Sequence, residues 1–146
     1  MTQPRTIARS SVSAHRAGDL LGALVNGFLL WLIHVWPGWD VLPFLTADTP
    51  RVLGLVNAAL VVGILVNLAP LVRDPGWLTP AGLVLTSAFG VAVSVRVLQV
   101  FPFGFDSAFD WALVVRILLI VGIVGAAIGA LVALVSLLRL LGGQEG

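Results

Sequence analysis

Residues Trp111–Leu138 read WALVVRILLIVGIVGAAIGALVALVSLL, and the only charge in that stretch is Arg116. A helix needs about 20 apolar residues to cross roughly 30 Å of hydrocarbon. This segment exceeds that length, so it is read as a membrane span long enough to tilt or to project past the interface. A strand reading fails because an open strand leaves its backbone groups unsatisfied in lipid.

Three further apolar stretches lie upstream. They run from Gly18 or Leu20 to Trp36, from Val52 to Val72, and from Ala81 to Phe101. Together the four spans fill almost the whole of the 146 residues, of which 59% are hydrophobic and 10% charged. A soluble domain carries about 25% charged residues. The expected fold is therefore an all-α integral membrane protein, a four-transmembrane-helix bundle occupying residues 18–146. Residues 1–17 are expected to form a mobile tail. No Ala-x-Ala cleavage pattern follows the first span, so it is expected to stay as an anchor.

Start signals mark the later spans. Thr49-Pro50 and Thr79-Pro80 each offer an N-cap followed by proline at the first helical position. Ser107-Ala108-Phe109-Asp110 resembles a capping box for the fourth span, and Asp74-Pro75-Gly76 reads as a turn.

Charge sets the expected orientation. Arg5, Arg9 and Arg16 precede the first span, Arg73 follows the second, and Arg139 follows the fourth. The opposite side has Arg51 as its one loop cation, with Asp40, Asp48, Asp106 and Asp110. The positive-inside rule then places both termini in the cytoplasm. The expected location is a bacterial plasma (inner) membrane. A net charge of +1 gives no general attraction to nucleic acid. The absence of cysteine removes disulfides, thiolate chemistry and cysteine metal sites together.

A faint internal repeat appears at an offset of 65. His34-Val35-Trp36-Pro37 then falls on Gln99-Val100-Phe101-Pro102, and Phe44, Arg51, Leu53 and Val56 fall on Phe109, Arg116, Leu118 and Val121. One explanation is two tandem parallel helical hairpins. The other is that spans commonly end in an aromatic followed by proline.

Small residues recur at four-residue spacing, which lets helix backbones approach in lipid. They are Gly82, Thr86, Gly90 and Ser94 on the third span, and Gly125, Gly129 and Ala133 on the fourth. Ala23 and Gly27 on the first, and Ala59 and Gly63 on the second, are also four apart. Gly82, Gly90, Gly125 and Gly129 are expected to pack helices. Gly122, Ala126 and Ala130 add a second stripe to the fourth span, available to another subunit.

Polar groups gather toward the outer end. His34, Arg51, Arg96, Gln99, Asp106, Asp110 and Arg116 form the expected polar cluster there. An intramembrane arginine is costly and hence a functional candidate. Arg96 and Arg116 together would suit an anion, a carboxylate or a lipid phosphate. The competing and favoured reading is that both snorkel outward and pair with Asp106, Asp110 or Asp48. His34 reads as an interfacial imidazole bonded to water or to a loop carbonyl; haem ligation would require a second copy. Asn26, Asn57 and Asn67 lie deeper and are expected to hydrogen-bond across helices, with pore lining as the sharper alternative. The aromatic loops Trp36–Leu45 and Phe101–Trp111 face the same side, as an interfacial belt or a docking surface.

No carboxylate stands at mid-membrane, and no nucleophile elbow, zinc helix motif, phosphate loop or dinucleotide fingerprint is present. The chain therefore reads as a non-enzymatic accessory or assembly subunit without cofactor or metal. Its partners would be lipid and another membrane protein or a further copy of itself. The alternative is a homo-oligomeric channel or facilitator for a small solute or anion.

Overall fold

The computed structural model describes residues 3–143, with side chains from Ser13 onward. Arg5, Arg9, Ser10 and Ser11 therefore lie outside the described side chains. Four helices make up most of it: α1 (Gln3–His34), α2 (Pro50–Val72), α3 (Leu78–Val100) and α4 (Trp111–Gly142). Each is long and apolar enough to cross a membrane, α1 through its Ser13–His34 portion. The protein is thus an all-helical, multi-pass membrane protein.

Boundaries differ from expectation where local chemistry was misjudged. The backbone is already helical from Gln3, so the stretch assigned to a tail continues α1. Beyond Pro4, no proline interrupts it before Pro37. α3 begins at Leu78 with Trp77 in the cap position, so Thr79 lies inside the helix. α2 does start at Pro50, but Thr49 makes no side-chain cap bond. Its hydroxyl donates backward to Thr46 O at 2.7 Å. Before α4 the cap is Asp110, whose Oδ1 accepts from Leu113 N at 3.0 Å. Ser107 instead donates to Phe109 O at 2.9 Å. A carboxylate adjoining the first turn also meets the positive end of the helix dipole.

Consecutive helices run antiparallel and pack in chain order. Among the described residues α1 meets α2, α2 meets α3 and α3 meets α4, with no approach between α1 and α3, α1 and α4, or α2 and α4. The bundle is therefore an open row. The buried positions on its helices are mostly small: Ala23, Gly63, Gly82 and Ala133, with Val52 and Val97. In lipid, close backbone approach is what holds helices together, so small residues mark each seam. Val66 lies against Gly82 between α2 and α3. Between α3 and α4, Gly90 faces Ala126, and Gly129 faces Ser87 Oγ. Gly125 does not join them. A Cβ built there meets nothing within 4 Å, because Ala126, Gly129 and Ala133 already supply the seam.

The α1–α2 and α3–α4 loops meet at one end of the row. Thr46 N donates to Pro102 O, and Gly104 N donates to Phe44 O, each at 2.9 Å. These bonds make a single antiparallel bridge, Leu45 to Phe103. Pro102 beneath it is fully buried. Gln3 and Gly143, the first and last described residues, lie toward the opposite end. Helix lengths of 32, 23, 23 and 32 residues do not follow the 65-residue offset, which would match long helices to short ones.

Candidate functional site

The α1–α2 seam is built from two asparagines and two glycines. Asn26 lies against Gly63, where an added Cβ would stand 2.8 Å from Asn26 Nδ2. Asn67 lies against Gly22 in the same way, at 2.5 Å from its Oδ1. Each amide is turned back on its own helix: Asn26 Nδ2 donates to Gly22 O at 2.8 Å, and Asn67 Nδ2 donates to Gly63 O at 2.6 Å. A glycine leaves its carbonyl uncovered for a side chain four residues on, and leaves room for the facing helix. The contacts are reciprocal across an antiparallel pair.

Asn26 and Asn67 were therefore misjudged as cross-helix donors. A short polar side chain inside a helix can bond the carbonyl four residues back in its own chain, and here that local partner is the one taken. The cross-helix bond belongs to Asn57. His34 Nε2 lies 2.9 Å from Asn57 Oδ1; with that oxygen accepting, Nε2 carries the hydrogen. His34 thus finds its partner on α2 and not in a loop carbonyl. The signal for the asparagine–glycine seam was present as Gly22-Ala-Leu-Val-Asn26 repeated in Gly63-Ile-Leu-Val-Asn67.

Beside this seam runs an open groove of about 460 Å³ lined by α1, α2 and α3. Asn26, Gly63, Asn67, Thr86, Gly90 and Ser94 line it, and no charged side chain does. Thr86 is satisfied within α3, donating to Gly82 O at 3.0 Å. The asparagine side-chain oxygens have no protein partner among the described residues. The groove is neutral, sets these groups among the apolar side chains of Val56, Leu60, Phe89 and Val93, and carries unused hydrogen-bonding atoms.

At the loop end, the seven residues expected to cluster are dispersed among separate local contacts. Arg51 pairs with Asp48 at 3.5 Å, and both are exposed. Asp110 caps α4. Arg116 lies over the ring of Phe101, its guanidinium carbon 4.5 Å from the centroid. Arg96, Gln99 and Asp106 are exposed. No hydrogen bond or ion pair joins any two of the seven among the described residues. Neither a paired-arginine site nor arginine pairing with Asp106 or Asp110 forms. Arg116 stands about 7.5 Å along α4 from its start, at 1.5 Å per residue. The residue that ends α3, Phe101, supplies the aromatic face it meets there.

Phe101 itself ends α3 in the left-handed conformation, with φ 42° and ψ 68°. Its ring starts an aromatic ladder. Phe101 meets Phe103 edge to face at 5.4 Å, Phe103 stacks on Phe105 at 6.0 Å, and Phe105 stacks on Phe44 at 6.3 Å. The ladder and the backbone bridge fasten the two loops into one plate.

No protein-family model matches the chain, and no curated protein or solved structure matches it significantly.

Proposed function

We propose that this protein is a non-enzymatic accessory subunit of a larger membrane assembly, and that a transmembrane helix of another protein seats in the α1–α2–α3 groove. The observation that carries this reading is the groove itself: an open, uncharged surface at mid-helix that carries the polar side chains Asn26, Asn67, Thr86 and Ser94. Hydrocarbon satisfies no hydrogen bond, so such a surface favours a partner with small and polar side chains. A second copy is a poorer occupant. Two concave grooves do not fill one another. A copy inserting a convex face such as α4 makes a head-to-tail contact that propagates unless its rotation closes.

In this reading both termini are cytoplasmic, and the zipped aromatic loops face outward as a rigid plate at headgroup level. The bacterial inner membrane remains the proposed location, from the arginine distribution. The test is purification of the tagged protein from its native membrane in mild detergent, followed by intact-mass analysis. A stoichiometric foreign subunit supports the proposal. A clean homo-oligomer replaces it with the channel reading, in which copies line a path with Asn26, Asn67 and Thr86.

A further inference from the structure

At the end of the row opposite the loop bridge, the α2–α3 turn carries an open pocket of about 540 Å³. Ala69, Val72, Arg73, Pro75, Trp77 and Leu78 line it, so the wall is mostly apolar and Arg73 is its one charged member. Val72, beside Arg73 in the chain, is 90% exposed. Arg73 directly follows α2 and Trp77 directly precedes α3. Both therefore stand where a membrane-length helix leaves the hydrocarbon, at headgroup depth.

The guanidinium of Arg73 is free. The ion pairs among the described residues are His15–Asp19 and Arg51–Asp48, and no side-chain hydrogen bond holds Arg73 there. Asp74, its neighbour, does not line the pocket. Asp74 Oδ1 is turned into the chain reversal, where it accepts from Gly76 N at 3.2 Å.

Two further arginines stand at this level. Gly22 faces Asn67, and Arg16 precedes the one by as many residues as Arg73 follows the other. Gly129 faces Ser87, and Arg139 follows the one by as many residues as Trp77 precedes the other. This end of the row is basic as a whole, and Arg73 is the arginine that lines the pocket.

The occupant must match a free cation and an aliphatic wall at once. Guanidinium groups bind phosphate through paired, charge-assisted hydrogen bonds. A free phosphate ion covers none of Ala69, Val72 and Leu78, whereas a lipid brings an acyl chain to them. The ammonium of a zwitterionic headgroup is repelled by the surrounding arginines, so a headgroup with net negative charge is favoured.

We propose that the α2–α3 turn binds one anionic phospholipid, with its phosphate on Arg73 and an acyl chain along Ala69, Val72 and Leu78. The site does not depend on what fills the groove.

The test reconstitutes the full chain in nanodiscs of equal parts phosphatidylglycerol and phosphatidylcholine, releases it into a maltoside detergent, and reads retained lipid by native mass spectrometry. The expected result is one phosphatidylglycerol per chain, retained in preference to phosphatidylcholine. In Arg73→Gln retention should fall roughly fivefold or more, the effect of one arginine at an anionic surface. Val72→Glu, which sets a carboxylate in the same wall and leaves Arg73 in place, should lower it as well. Both residues are exposed, so both variants should keep the wild-type circular dichroism. Arg16→Gln and Arg139→Gln, level with Arg73 but outside the pocket, should leave retention unchanged. Excess glycerol 3-phosphate should not displace the lipid.

Equal retention of the two lipids, or undiminished retention in Arg73→Gln and Val72→Glu, overturns the proposal. Equal losses in Arg16→Gln and Arg139→Gln overturn it in favour of diffuse charge. Displacement by glycerol 3-phosphate overturns it in favour of a site for a free anion.

Discussion

Asn26 and Gly63 face each other across α1 and α2 so closely that a Cβ on Gly63 would stand 2.8 Å from the amide nitrogen. That nitrogen is held at Gly22 O, 2.8 Å away. The amide therefore has little freedom to swing aside, and Gly63 is buried. The seam depends on a glycine where hydropathy alone would accept any apolar residue.

Gly63→Leu should accordingly destabilise the protein by about 1–3 kcal/mol or more, the usual cost of overpacking a closed contact. Gly125→Leu should leave stability within about 0.5 kcal/mol, as for positions away from any seam. Denaturant unfolding of both variants in one detergent checks the pair. Equal losses would mean that Gly125 is engaged in a contact outside the single chain.

The His34–Asn57 bond should give a measurable coupling. Interhelical hydrogen bonds in membrane proteins average about 0.6 kcal/mol and reach about 1.7. A double-mutant cycle of His34→Ala and Asn57→Ala should fall in that range. Additive effects would show that the bond contributes nothing in the membrane.

Phe101 predicts an unusual ranking. Its positive φ costs a non-glycine residue about 1–2 kcal/mol. Phe101→Ala loses the ring and keeps the strain, whereas Phe101→Gly loses the ring and relieves the strain. Phe101→Gly should be the more stable of the two by about 1 kcal/mol, the strain relief less a little unfolded-state entropy. Either change removes the seat of Arg116, whose cation–π contact contributes about 0.5–2 kcal/mol. Thermal melts of the two variants and of Arg116→Gln decide the order.

The loop bridge should appear in amide exchange. Thr46 N and Gly104 N are bonded across the two loops, so both should exchange more slowly than Asp106 and Ser107. Comparable exchange at all four would mean that the plate opens as readily as an unfastened loop.

The four spans were legible because composition and length suffice for them: a long uncharged run such as Trp111–Leu138 has one viable structure in lipid. Their contacts were less legible. Small residues at four-residue spacing named Gly82, Gly90 and Gly129 as packing positions, yet the same pattern named Gly125, which faces away. Spacing fixes a helix face but not which of two adjacent faces meets a neighbour. The polar cluster failed for a related reason. Depth along the membrane placed Arg96, Arg116, Asp106 and Asp110 at one level. Rotation and local competition dispersed them, with Asp110 taken by the helix cap and Arg116 by Phe101. The reciprocal asparagine–glycine seam was written in two matching pentapeptides, but its meaning required the antiparallel register.

The most direct test of the accessory-subunit account is site-specific photo-crosslinking in the native membrane, with one probe at Ser94 in the groove and one at Leu118 on the exposed face of α4. The account predicts that Ser94 crosslinks one foreign membrane protein at a defined mass, while Leu118 crosslinks lipid. Capture at Ser94 of lipid alone, or of a second copy of this chain, would contradict it.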